Sequence, residues 1–218
     1  MTAFSAILPD RFSPRHLLAA LIATIAALSL TPPAMAQFSE SYNFLKAVRE
    51  RDGTTVNELL DRPSTTIINS RDLTTGETAL HIVIQRRDLL WLRYMLQKGA
   101  NPNTETKEGA TPLMMATMLR FTDGVEVLLK NKARVDQANR SGETPLIRAV
   151  QLGDLATVRL LLKNGADPDR VDSLAGKSAR DYATGDARRA TILGAIEASD
   201  EERSQQKAKP EVFGPTIR

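Results

Sequence analysis

Gly76-Glu77-Thr78-Ala79-Leu80-His81 returns as Gly109-Ala110-Thr111-Pro112-Leu113-Met114, and again as Gly142-Glu143-Thr144-Pro145-Leu146-Ile147. A worn copy follows at Gly176-Lys177-Ser178-Ala179-Arg180-Asp181, so the leading glycines lie 33, 33 and 34 residues apart. A second marker keeps the same beat: Gly99-Ala100-Asn101-Pro102-Asn103, Lys132-Ala133-Arg134-Val135-Asp136 and Gly165-Ala166-Asp167-Pro168-Asp169. Between the two markers sits an apolar helix end, Tyr94-Met95-Leu96, Val127-Leu128-Leu129 and Leu160-Leu161-Leu162. Two landmarks in fixed phase define a repeating module. A module of this length cannot cover its own apolar side, so successive copies must stack. The expected fold class is an all-α repeat solenoid of helix-turn-helix units.

Local chemistry supports that unit. Pro112 and Pro145 fall in the first turn of a helix, where the missing N–H costs nothing. Thr78, Thr111 and Thr144 stand just before, where a hydroxyl can cap free backbone N–H groups. Gly99 and Gly165 follow the second helix, where a left-handed residue is wanted; Lys132 replaces that glycine and should carry a mild strain. Trp91, Gly124 and Thr157 share one phase in successive units. Because cores fill to near crystal density, the expectation is that Trp91 fills space left by Gly124.

This pattern resembles the ankyrin repeat over about residues 42–198. The resemblance implies stacked helix-turn-helix ankyrin repeats with outward hairpin loops, about five in number: 42–74, 75–107, 108–140, 141–174 and 175–198. The first lacks the T-P-L motif but keeps the helix pair. The fifth carries Arg180 where the others have Leu80, Leu113 and Leu146. Both changes suit terminal units, which must show water a polar outer face. The resemblance gives His81 a role in local hydrogen bonding between loops. Residues 199–218 are charged and polar with Pro210 and Pro215, and read as a disordered tail. Phe213 and Ile217 within it form either a short docking motif or a featureless end.

The N-terminus reads as an address. Arg11, Arg15 and His16 precede an apolar run over 17–30, followed by Pro32, Pro33 and Ala34-Met35-Ala36. Basic end, short apolar core and small-x-small site are the order of a secretory signal peptide, 1–36, with cleavage between Ala36 and Gln37. A membrane anchor is the alternative, but the run is shorter than the roughly 20 residues a helix needs to span a bilayer. The mature chain, with its repeat domain at 37–198, is expected to be exported to the periplasm without stable membrane insertion.

Of the formal charge of +3, Asp10, Arg11 and Arg15 contribute one, leaving too little for an electrostatic nucleic-acid binder. Absence of cysteine removes thiol catalysis, thiolate metal sites and disulfides together. His81 is the single histidine after residue 36, which leaves no zinc set and no second imidazole for a catalytic triad. The glycines follow the repeat and form no phosphate loop. No catalytic, cofactor or metal residues are assigned, and the chain is not expected to be an enzyme.

The resemblance implies that another protein binds to the concave side formed by first helices and loop tips. Carried over by phase, the first-helix candidates are Arg49, Glu50, Gln85, Arg86, Met118, Leu119, Gln151 and Leu152. The loop tips add Lys107, Glu108, Arg140 and Glu143, along with Thr74, Thr75, Glu77, Ala110 and Ser141. Met118, Leu119 and Leu152 make an apolar centre with a charged rim. The alternative is that Met118 and Leu119 complete the inter-repeat core. The expected function is a monomeric periplasmic adaptor or accessory factor. The competing reading is an inhibitor or immunity-type protein that blocks a partner enzyme.

Overall fold

The computed structural model describes residues 33–62 and 66–208. The chain divides into two units, Met1–Glu40 and Ser41–Arg218; the repeats occupy the second. Helices come in pairs: α1 (Pro33–Glu50) with α2 (Gly53–Leu60), α3 (Ala79–Gln85) with α4 (Leu89–Gln97), and α5 (Pro112–Met118) with α6 (Thr122–Lys130). They continue as α7 (Pro145–Leu152) with α8 (Leu155–Lys163), and α9 (Ala179–Thr184) with α10 (Ala190–Ala208). First helices pack on the next first helix and second helices on the next second helix, giving two layers in series. Among the described residues β-structure is limited to one bridge, Val171 to Ser178.

Side-chain caps set where several of the helices start. The hydroxyl of Thr111 accepts from Met114 N at 3.1 Å, and that of Thr144 from Ile147 N at 3.2 Å. Asp52, Asp88 and Asp154 do the same for second helices, accepting from Thr55 N, Trp91 N and Thr157 N. Each such cap is worth about 1 kcal/mol. The apolar faces then close the core: Leu80, Val83, Leu146 and Val150 on first helices and Leu92, Val125, Leu128, Val158 and Leu161 on second helices are fully buried. Each of these contributes roughly 1.5–3 kcal/mol of transfer free energy.

The glycine that opens each repeat marker has a steric reason. Gly76 and Gly109 sit at φ 75° and 80° in the loop tips. A Cβ on Gly76 would lie 2.8 Å from Lys107 N, and one on Gly109 would lie 2.9 Å from Arg140 N. The loops stack backbone to backbone at these points: Lys107 N donates to Thr75 O at 2.9 Å, and Ser173 N to Ser141 O at 2.8 Å. Lys132 stands at φ 65° where Gly99 and Gly165 have 90° and 87°, the left-handed position its phase assigns.

Two expectations are corrected. The space over Gly124 belongs to the ring of Phe121, whose Cδ1, Cε1 and Cγ a new Cβ would overlap. Phe121 occupies the phase of the capping Asp88 and Asp154, and it gives α6 no side-chain cap. Trp91 meets Tyr94 edge-on instead, with ring centroids 6.0 Å apart. The second correction concerns the tail. Helix α10 continues to Ala208, so the stretch from Ser199 onward is helical that far. It is held by Arg203, which donates to Ala166 O at 2.9 Å, and by Asp200, which pairs with Arg180 at 2.7 Å. Arg180 also grips Asp169 through Nε at 2.7 Å and Nη2 at 3.2 Å. The residue that departs from the motif thus ties the last helix pair together. Phe213 and Ile217 lie outside the described residues, as does the chain before Pro33. The expected cleavage point, Ala36–Gln37, falls inside α1 as this structure draws it.

Candidate functional site

The exposed side of the first helices and the loop tips form the face to which the candidate residues were assigned. Gln85, Met118 and Gln151 share one phase and line up across α3, α5 and α7. Met118 is 49% exposed, a large apolar side chain left open in the middle of the row. Leu119 is half-buried and packs against the core, and Leu152 is half-buried. Of the three residues read as an apolar centre, Met118 is therefore the open one. Met115, one turn earlier on α5, is half-buried and packs against the core as Leu119 does.

On the N-terminal side of this centre the groups are polar and engaged with one another. Gln85 Nε2 donates to Glu77 Oε1 at 2.6 Å. Arg49 reaches Asp72 at 2.7 Å, and that bond, with the N–H groups of Thr74 and Thr75, holds the Asp72 carboxyl below the usual range. Glu50 is exposed, 4.0 Å from Lys46. Arg86 is turned inward: Nη1 donates to Val48 O at 2.7 Å and Arg49 O at 2.9 Å, capping α1. A cation at a helix C-terminus satisfies carbonyls and complements the dipole, so Arg86 serves the fold.

On the C-terminal side, Glu143 is 8% exposed and bonded to Arg148 Nη2 at 2.7 Å and Asn139 Nδ2 at 3.2 Å. It is a buried strut and offers no free carboxylate at the tip. Tyr182 follows Arg148 in the same phase; its hydroxyl donates to Asp172 at 2.8 Å, a bond that pushes the phenol up. Asp172 is buried and held low first by Ala175 N–H and then by that phenol. Gln151 is half-buried beside Tyr182. Sequence reasoning missed Arg148 and Tyr182 because their phase reads as core: it is Ile82 in the second repeat. At the tips, Lys107 donates to Leu73 O at 2.5 Å, while Glu108 and Arg140 stand exposed. Leu73 and Leu174, 72% and 83% exposed, make the outermost tips apolar.

His81 is wholly buried between repeats. Its Nδ1 accepts from Thr78 N at 3.1 Å, which leaves the proton on Nε2 to donate to Ala110 O of the next loop at 3.1 Å. Burial pushes its pKa down to about 4, so it stays neutral. It links loops, as its motif implies. Among the described residues no cluster of acids and histidines could hold a metal ion.

The family model for ankyrin repeats in three copies matches residues 44–139 and 93–172, which together span more than half the chain. The chain belongs to the ankyrin-repeat family. It is 38% identical over 68 residues to a Fowlpox virus protein named as an ankyrin repeat protein, and 33% identical over 66 residues to oxysterol-binding protein homolog 1 of Saccharomyces cerevisiae. Those stretches are 31% and 30% of this chain but 20% and 5% of the relatives, so the likeness spans a fifth or less of each relative's length. Ankyrin repeats are non-catalytic modules that mediate protein–protein interaction. No helix among the described residues is long and apolar enough to cross a membrane.

Proposed function

We propose that this ankyrin-repeat protein is exported, loses residues 1–36, and acts in the periplasm as a monomeric adaptor or accessory factor that holds one partner protein on its first-helix face. The observation that carries the reading is Met118. A solvent-open methionine at the centre of a row otherwise made of satisfied polar groups is the pattern of a small binding core within a polar rim. Its thioether is adaptable and adds apolar contact without fixing one shape. Export is supported by the order of basic end, apolar run and small-residue site in the first 36 residues.

The test is a binding titration with a partner captured from the native host. Met118→Glu should weaken binding at least about tenfold, the loss of more than 1.4 kcal/mol expected of a central contact. The melting temperature should hold, since the side chain is already half in water. Leu119→Glu is the wrong probe, because Leu119 packs on the core and its loss would confuse unfolding with unbinding. Unchanged affinity in Met118→Glu would place the partner elsewhere. Loss of a bound enzyme's activity would turn the adaptor into an inhibitor.

A further inference from the structure

On the other layer, between α8 and α10, lies a groove of about 610 Å³ whose walls carry cations. Arg159, Leu162 and Lys163 line it from α8, and Ala195, Ala198, Ser199, Glu202 and Arg203 from α10. Arg203 is fixed in place by bonds to Ala166 O at 2.9 Å and Ser199 Oγ at 3.1 Å. Among the described residues no carboxylate hydrogen-bonds Arg159. Lys163 lies close enough to Glu126 to lower it, but that carboxylate is already bonded by Lys130 at 2.6 Å. Three cations thus line the trough with one acid, Glu202; Asp136 and Asp169 lie close enough to Arg203 to interact with its charge, as Glu126 does with Lys163.

The dimensions favour one kind of occupant. Along α10 the lining runs from Ala195 to Arg203, about 12 Å at 1.5 Å per residue. That length holds three or four residues of extended chain. Arg159 and Lys163 are four residues apart on one helix face, about 6 Å along the axis. Side chains at alternate positions of an extended segment are about 6.6 Å apart and point the same way. We infer that this groove takes an acidic segment of a protein, extended, with carboxylates at alternate positions set against Arg159 and Lys163 and small side chains against Ala195. The site is separate from the first-helix face and does not depend on the function proposed for it.

The probe is a fluorescein-labelled peptide, Gly-Glu-Ala-Glu-Ala-Gly, titrated with the full chain at low ionic strength and read by anisotropy. Saturable binding is expected, with Lys163→Glu weakening it about tenfold and Glu202→Gln tightening it severalfold. Both residues are exposed, so melting temperatures should stay near that of the parent. Lys46→Glu makes the same charge change on α1 and should have little effect. No saturable binding would overturn the inference. So would an equal loss in Lys46→Glu, which would mean general attraction, or displacement by inorganic phosphate at the peptide's own concentration, which would mean a bare anion site.

Discussion

Single residues here answer to their neighbours in the adjoining repeat. His81 holds its tautomer because Thr78 N–H points at Nδ1 and Ala110 O waits at Nε2. With a folded pKa of about 4 against 6.5, the unfolded chain binds the proton first as pH falls. Stability should therefore be full above pH 6.5 and decline down to about pH 4, by as much as roughly 3 kcal/mol. Urea melts across that range should show the decline in the parent and a flatter profile in His81→Gln. The carboxylates held low, such as Asp72 and Asp172, act in the same direction but further into acid: their share is present above their ordinary value near 3.8 and is lost only below it. His81 was legible from its motif. The Gly124 space was not. Phe121 stands where an aspartate caps three other second helices, and nothing local says that its ring turns back over position 124. A double-mutant cycle separates the two. Gly124→Ala alone should cost about 1–3 kcal/mol by overpacking, and much less in a Phe121→Asp background, where the ring is gone. Equal costs in both backgrounds would mean that the ring does not own that space.

At the scale of the element, the last helix pair shows how a motif can drift and still hold. Leucine at the T-P-L position buries itself in the three preceding repeats; Arg180 in the fifth binds Asp169 and Asp200 instead. Partly exposed pairs of this kind are worth little singly and more as a fork. Arg180→Gln should cost about 1 kcal/mol at low salt and less in 1 M salt, measured by urea melts, with faster amide exchange confined to α9 and α10. An unchanged melt would leave the clamp decorative. The same element explains why the tail was misread. Residues 199–208 are polar by composition, and what makes them helical is tertiary: Arg203 on Ala166 O and Asp200 on Arg180, partners 37 and 20 residues away. Periodicity finds a helix by its apolar stripe, and here the stripe ends at Ile196 while the contacts go on.

Across the whole molecule, the repeat beat carried nearly all of the architecture. Gly76 and Gly109 mark it because the next loop's backbone passes within contact distance of where their side chains would be. The candidate face was legible only in phase. Met118 is exposed as its phase implies, but Arg86 and Glu143 were read as rim charges and are internal struts, since nothing in a single repeat tells whether Val48 O or Arg148 will reach them. On the first helices of that face the open apolar side chain is Met118, among polar groups that are largely paired, and the proposed function requires that a protein rest there. A photo-crosslinking residue placed at Met118, 49% exposed on the first-helix face, can be compared with one at Leu90, 76% exposed on the other layer. In the native host, one discrete protein adduct is expected at Met118 and none at Leu90. An adduct at Leu90 with none at Met118 would contradict the proposed function.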